Sequence, residues 1–182
     1  MTAEESLNIL KEGNRKFYTS SVPTGDISPD RRHFTADRGQ QPNAILITCC
    51  DARILPEAIF STGIGDLLSF RIPGNVLTPY LLSSVKFAAR QFGAPLVILM
   101  GHTHCDTLKA ALTGHMEGFL ASVNEELKKA AGPEKDLEKV CRLNVRRDVQ
   151  LLREIFRQTP ELAKTKIVGA IYNIDTGEVR WI

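Results

Sequence analysis

The sequence predicts an α/β fold, a mainly parallel β-sheet flanked by helices, and three features carry that prediction. Two short runs, Ala44-Ile45-Leu46-Ile47-Thr48 and Leu96-Val97-Ile98-Leu99-Met100, are apolar almost throughout, as suits strands buried on both faces. Segments with helical spacing of apolar residues alternate with the strand candidates, the order that produces a parallel sheet. The chain has 182 residues and 43% hydrophobic content, enough for one domain with a real core. We therefore expect a single domain over 1–182, in which residues 1–40 form an N-terminal helix-and-loop arm packing on a partner subunit.

Taken in order, Ala3 to Tyr18 places Leu7, Leu10, Asn14 and Phe17 along one side of an amphipathic helix, weakened by Gly13. Ser20 to Gln41 is rich in Pro, Asp, Arg and Gly and reads as a loop, long enough to be functional or to pack on a partner. The first strand is Ala44 to Thr48, ending at Cys49. Pro56 to Ser61 starts a short helix with Pro in its first position, and Asp66 to Ile72 is a second strand. Thr78-Pro79 is an N-cap followed by Pro at N1, opening a helix through Gln91 that Gly93 ends. The third strand, Leu96 to Met100, runs into Gly101-His102. Helical pattern resumes from about Cys105 to Ala131 with a break near Thr113-Gly114, and Gly132-Pro133 stops it. A long helix over Pro133 to Gln158 carries Leu137, Val140, Cys141, Val145, Val149, Leu152 and Phe156 on its apolar side and a solvated charged side opposite. Lys166 to Asn173 is the fourth strand; Asp175-Thr176-Gly177 turns the chain, and Glu178 to Ile182 pairs back as a C-terminal hairpin.

With 23 basic and 21 acidic residues the net charge is +2, which gives no broad electrostatic reason to expect nucleic acid or an anionic membrane as partner. Met1 to Leu10 has neither the basic start nor the apolar stretch of a signal peptide. No apolar run approaches the ~20 residues of a membrane helix. The expected location is the cytoplasm, so the four cysteines, Cys49, Cys50, Cys105 and Cys141, read as metal ligands or buried thiols, not as disulfides.

Two segments concentrate chemistry, Cys49-Cys50-Asp51-Ala52-Arg53 and Gly101-His102-Thr103-His104-Cys105. Each follows a strand candidate. In open parallel sheets, sites form beyond the carboxyl ends of strands, so these segments can converge although they are distant in sequence. Two thiolates and an imidazole are zinc ligands, and three protein ligands leave a fourth position open for chemistry. His102 and Cys105, three residues apart where strand passes to helix, can both face one ion. Cys49 and Cys50 compete for the remaining place, because adjacent side chains on an extended chain point oppositely. The loser reads as a small buried hydrophobe, and Cys141 as core. His104, adjacent to Cys105, is badly placed for joint chelation and reads as pocket-lining or exposed. His33 and His115 are isolated surface positions. Arg53 can hold Asp51 by a bidentate bond, leaving Asp51 to accept a hydrogen bond from a zinc-bound hydroxide, or to swing in as a fourth ligand and close the site. Gly63-Ile64-Gly65 lacks the rest of a nucleotide-binding fingerprint.

At these residues the chain resembles the β-class carbonic anhydrases, which carry a C-x-D-x-R motif and an H-x-x-C motif. Cys49, Asp51 and Arg53 match the first, and His102 and Cys105 the second. Leu10 to Phe17, Gly65-Asp66 with Arg71, Gly74-Asn75, and Val168 to Tyr172 with Thr176-Gly177 extend the similarity over most of the chain. The resemblance implies a Zn²⁺ held by Cys49, His102 and Cys105, with Cys50 excluded. It implies reversible hydration of CO₂ to bicarbonate, with Asp51 and Arg53 catalytic. Leu68 and Phe70 would line a dry slot for the substrate, with Gln40 contributed across a dimer interface and Pro73 beside it. It implies a homodimer or higher even homo-oligomer. The family usually has Arg-Asn-Ala-Gly-Asn where this chain reads Arg71-Ile72-Pro73-Gly74-Asn75, and glycine where it has Asp106. Pro73 has no N–H to offer. These departures motivate two alternatives: a related zinc hydrolase of carbon disulfide or carbonyl sulfide, or a catalytically inactive zinc-binding homologue. Leu46 stands where the bicarbonate-regulated members have tryptophan, so that regulatory site is not expected.

Overall fold

Side chains that alternate between two buried faces along the first strand set the layers of this molecule. In the computed structural model, which describes residues 1–19, 25–114 and 116–182, β1 (Ala44–Thr48) is buried at every position. Ile45 and Ile47 face one apolar cluster, and Ala44 and Leu46 the other, as the two-residue period of a strand requires. β2 (Leu67–Arg71), β3 (Leu96–His102), β4 (Lys166–Tyr172) and β5 (Val179–Trp181) complete one sheet in the order β2-β1-β3-β4-β5. The first four strands are parallel, and β5 pairs antiparallel to β4 with Tyr172 opposite Val179. The expected fold class and hairpin are therefore present.

Helices cover both faces. On one, α1 (Ala3–Thr19) brings Leu7 and Leu10, and α3 (Pro56–Ile59) brings Ile59, onto Leu46, Ile98 and Met100. On the other, α4 (Pro79–Phe92), α5 (Asp106–Thr113), α6 (Ala121–Ala131) and α7 (Leu137–Arg157) pack on Ile47, Val97 and Leu99. Gly13 does not weaken α1 by accident: a Cβ there would lie 1.9 Å from the Phe60 carbonyl oxygen, so the α1–α3 approach requires glycine. Asn14 staples α1 to the hairpin, donating to the Ile59 and Gly177 carbonyls and accepting from the Val179 amide.

Three expectations are corrected. The loop predicted over Ser20 to Gln41 contains a helix, α2 (Pro29–Arg38), capped by the Ser28 side chain with Pro in its first turn. None of its residues is buried, so no apolar period announces it. The long last helix begins at Leu137, where the Asp136 carboxylate accepts from the Lys139 amide, and not at Pro133. Cys50 is exposed, not a buried hydrophobe. The break near Gly114 is real; Gly114 ends α5 in the left-handed conformation. His33 is exposed on α2, and His115 and residues 20–24 lie outside the described residues.

Candidate metal centre

Parallel pairing of β1 with β3, Thr48 opposite Met100, brings the two chemistry-bearing segments together at the carboxyl edge of the sheet. The Thr48 hydroxyl donates to the Met100 carbonyl at 3.0 Å and ties the strand ends. Cys49 follows β1 and is 1% exposed; His102 ends β3 and is 1% exposed; Cys105, 3% exposed, stands just before α5. Their ligand atoms all lie within 4.8 Å of one another. The competing side chains diverge as strand geometry demands: Cys49 turns inward and Cys50 outward.

The fit to a tetrahedral cation is chemical as well as spatial. Two thiolates about 2.3 Å from a tetrahedral zinc stand about 3.8 Å apart, and the Cys49 and Cys105 sulfurs are 4.0 Å apart. His102 Nδ1 donates to the Thr103 carbonyl at 2.8 Å, which leaves the lone pair on Nε2. That Nε2 is buried and has no hydrogen-bond partner among the described residues. A buried, unsatisfied imidazole nitrogen beside two thiols is costly unless something electron-deficient meets it.

The electrostatics agree. The Cys49 thiol is drawn down chiefly by the Cys105 S–H, and further by the Asp51 and Gly74 amides. Cys105 is correspondingly pushed up by its bond to Cys49 and by burial. Two adjacent buried sulfurs disfavour a second negative charge, and a divalent ion would relieve that by binding both as thiolates. Cys141, buried on α7, is pushed up to about 12 by desolvation and remains a neutral thiol.

Asp51 and Arg53 form the expected pair. Arg53 Nε and Nη2 donate to Asp51 Oδ1 and Oδ2 at 2.9 and 2.6 Å, and this fork holds the Asp51 carboxyl down at about 2. Arg53 Nη2 also donates to the His104 carbonyl at 3.0 Å and meets Asp106 Oδ2 at 3.4 Å. His104 takes a left-handed backbone, φ 54°, and its ring lies 2.9 Å from Asp175 of the β4–β5 turn. Arg71 braces the first segment from β2, donating to the Asp51 carbonyl at 2.6 Å and the Cys49 carbonyl at 3.4 Å.

Gln40, Leu68 and Phe70 come together elsewhere. With Tyr80, Phe87 and Phe92 they line an apolar cavity of about 550 Å³ between β2 and α4, which shares no lining residue with the Cys-His-Cys cluster. Pro73 lies in the turn after β2 and lines neither. Sequence reasoning missed several groups here: the Gly74 amide, the His104 carbonyl, and Asn144 and Asp148 on α7.

Comparison with known proteins decides the family. The carbonic anhydrase family model matches residues 44–179, most of the chain and all of the site. The chain belongs to the carbonic anhydrase family, in its β class. It is 35% identical over 111 residues to carbonic anhydrase 2 of Mycobacterium tuberculosis, covering 61% of this chain and 53% of that protein. Over 193 residues it is 30% identical to the carbonic anhydrase of Synechococcus elongatus, covering 93% of this chain and 69% of that one. The crystal structure of the β-carbonic anhydrase CafA of Aspergillus fumigatus superposes with a TM-score of 0.71 at 27% identity, covering 82% of this chain and 79% of the other. The chain spans about half the length of the first curated relatives it matches.

Proposed function

We propose that this protein is a zinc enzyme that hydrates CO₂ reversibly to bicarbonate, and that Cys49, His102 and Cys105 hold the ion. The observation that carries this reading is the unpartnered His102 Nε2 facing two buried thiols, with a forked Asp51–Arg53 pair two residues from the first ligand. A bound zinc would supply a water acidified toward about pH 7, less strongly here than with three neutral imidazoles because two thiolates donate more charge.

The chain's own residues do the rest. Arg53 fixes the Asp51 carboxylate in one orientation and keeps it ionised, so Asp51 is an acceptor only. An acceptor-only group beside the metal position would accept a hydrogen bond from the O–H of the attacking oxygen. It thereby turns the oxygen lone pair toward a carbon electrophile. Released from Arg53, the same carboxylate is a candidate fourth ligand that would close the site. The substrate is small, linear and uncharged; Leu68, Phe70 and Gln40 line an apolar cavity apart from the Cys-His-Cys cluster within this chain, so their assignment to its slot, with Pro73 beside it, belongs to the assembled dimer. The relatives that align at 30% identity or more carry the name carbonic anhydrase, which favours CO₂ over carbon disulfide or carbonyl sulfide.

The proposed assembly is a cytoplasmic homodimer or higher even homo-oligomer. Tyr80 is 85% and Phe87 64% exposed at the rim of the apolar cavity, a patch that a second copy would cover. α2, none of whose residues is fully buried within its own chain, is assigned to that interface. A centre that needs free thiols supports a reducing compartment. Among the described residues no helix is long and apolar enough to cross a membrane. Light scattering of Tyr80→Glu/Phe87→Glu is expected to report a smaller species than wild type; an unchanged mass contradicts the assignment of that face. Stopped-flow CO₂ hydration by metal-loaded protein across pH 7 to 9 tests the activity. Rates above buffer are expected, and rates equal to buffer overturn it.

A further inference from the structure

α7 carries a polar stripe on the face it buries. Cys141, Asn144 and Asp148 are each 1–3% exposed, and their spacing of three and four residues puts them on one side of a helix. Polar side chains in a core cost stability unless each finds a partner; each of these bonds to backbone, while Asn144 Oδ1 has no partner among the described residues. Cys141 Sγ donates to the His102 carbonyl at 3.5 Å. Asn144 Nδ2 donates to the Gly74 carbonyl at 3.2 Å. Asp148 Oδ2 accepts from the Leu77 amide at 3.1 Å.

Two of these bonds hold the 73–77 segment, a turn and the two residues after it. Residues Pro73–Asn75 form a 3₁₀ turn in which Gly74 and Asn75 take successive left-handed conformations, φ 65° and 50°. Glycine and asparagine are the residue types that adopt this conformation most readily. The turn has a front side: it packs against the ends of β1 and β3, and the Gly74 amide is among the groups that hold the Cys49 thiol down. A Cβ at Gly74 would meet Leu127 and Thr107 side-chain carbons at 3.3 Å, so the turn is packed as well as bonded. α7 is pressed against β3 in the same way. A Cβ at Gly101 would lie 2.5 Å from Cys141 Sγ and 3.0 Å from a Val145 methyl.

Asp148 is an expensive residue to keep here. It is 1% exposed and, among the described residues, has besides the Leu77 amide only Arg147 Nη1 at 3.5 Å; desolvation pushes its carboxyl up to about 6. An apolar residue of similar volume would serve the core better. Something other than core stability accounts for it.

We propose that Asn144 and Asp148 are positioning residues of the metal centre: they lock the 73–77 turn so that the Gly74 amide stays on the Cys49 sulfur, while Cys141 steadies the His102 backbone. This deepens the zinc reading and rests on it. An amide donated to a thiolate ligand withdraws charge from the sulfur and fixes its direction, and outer partners of this kind govern metal affinity by about 10- to 100-fold.

The test compares zinc affinity by chelator competition, and the thiolate-to-metal charge-transfer band of the cobalt-substituted protein, in wild type and four variants. Asp148→Leu and Asn144→Leu are expected to bind zinc about 10- to 100-fold more weakly and to shift the cobalt band. Asp148→Asn, which keeps an acceptor for Leu77, is expected to restore both. Val149→Ala, a core change on the same helix, is expected to lower the melting temperature and leave affinity and band alone. If Asp148→Leu fails to fold, Asn144→Leu carries the comparison, and slow exchange of the Leu77 amide in wild type is expected independently. Metal-loaded wild type with unaffected leucine variants, parallel losses in Val149→Ala, or fast Leu77 exchange overturns this proposal alone. Wild type that binds no metal overturns the zinc reading beneath it.

Discussion

Asp51 and Asp148 are the two carboxylates proposed to serve one metal centre, and their surroundings oppose each other. Asp51 faces a guanidinium fork at 2.9 and 2.6 Å and is held down at about 2. Asp148 is sealed in the core against one backbone amide and a distant guanidinium, and is pushed up to about 6. The first environment keeps a charge and aims it, which suits a group that must accept a hydrogen bond in a reaction. The second penalises the charge and retains only its acceptor geometry, which suits a group that holds backbone in place. Residue type alone does not separate those roles; desolvation and the nearest donor do.

The sharpest break in this comparison comes from the ligands both carboxylates serve. Cys49→Ser, His102→Ala or Cys105→Ser is expected to abolish stoichiometric metal and to reduce CO₂ hydration to the buffer rate, measured by metal analysis and stopped flow on the same samples. Next is the front carboxylate. Asp51→Asn is expected to retain zinc and lose about 10²-fold or more in kcat; retention of full kcat would reduce Asp51 to a structural role.

Asp148→Asn probes the other side through stability. Because the folded carboxyl titrates near 6 and an unfolded one near about 3.9, the unfolded chain releases its proton first as pH rises. The folded state therefore loses stability between pH of about 4 and 6, by about 2 to 3 kcal/mol in all. Arg147 opposes this cost and Glu126 adds to it. Denaturant unfolding of Asp148→Asn across that range is expected to lose this slope; an unchanged slope assigns it to other groups. The smallest effect is expected from Asp106→Asn. Asp106 meets Arg53 only at 3.4 Å, with a side chain 85% exposed, and exposed pairs are weak. Kinetics of this variant should match wild type closely. A loss comparable to Asp51→Asn would mean that Arg53 is aimed by Asp106 as much as by Asp51.

What was legible in the sequence was what repeats locally or clusters locally. Strands β1 and β3 declare themselves because both faces are buried and every position is apolar. The ligand segments declare themselves because each packs several donors directly after a strand. The choice of Cys49 over Cys50 was not available from the residues without the family resemblance; it depends on which way the chain turns as it leaves the sheet. α2 was invisible because it buries no residue and so has no apolar stripe. Asn144 and Asp148 were invisible for another reason. They sit on an apolar face as apparent exceptions, and their partners, Gly74 and Leu77, are 70 and 71 residues away. A polar residue interrupting the buried stripe of a long helix was the available signal.

The central claim is that two sulfurs and one imidazole nitrogen, brought together by neighbouring parallel strands, enclose a cation. Elemental analysis of protein purified without chelators tests it most directly. One zinc per chain in wild type, and none in Cys49→Ser or His102→Ala, is the predicted result. Wild type without stoichiometric metal, or variants that retain it, would contradict the account.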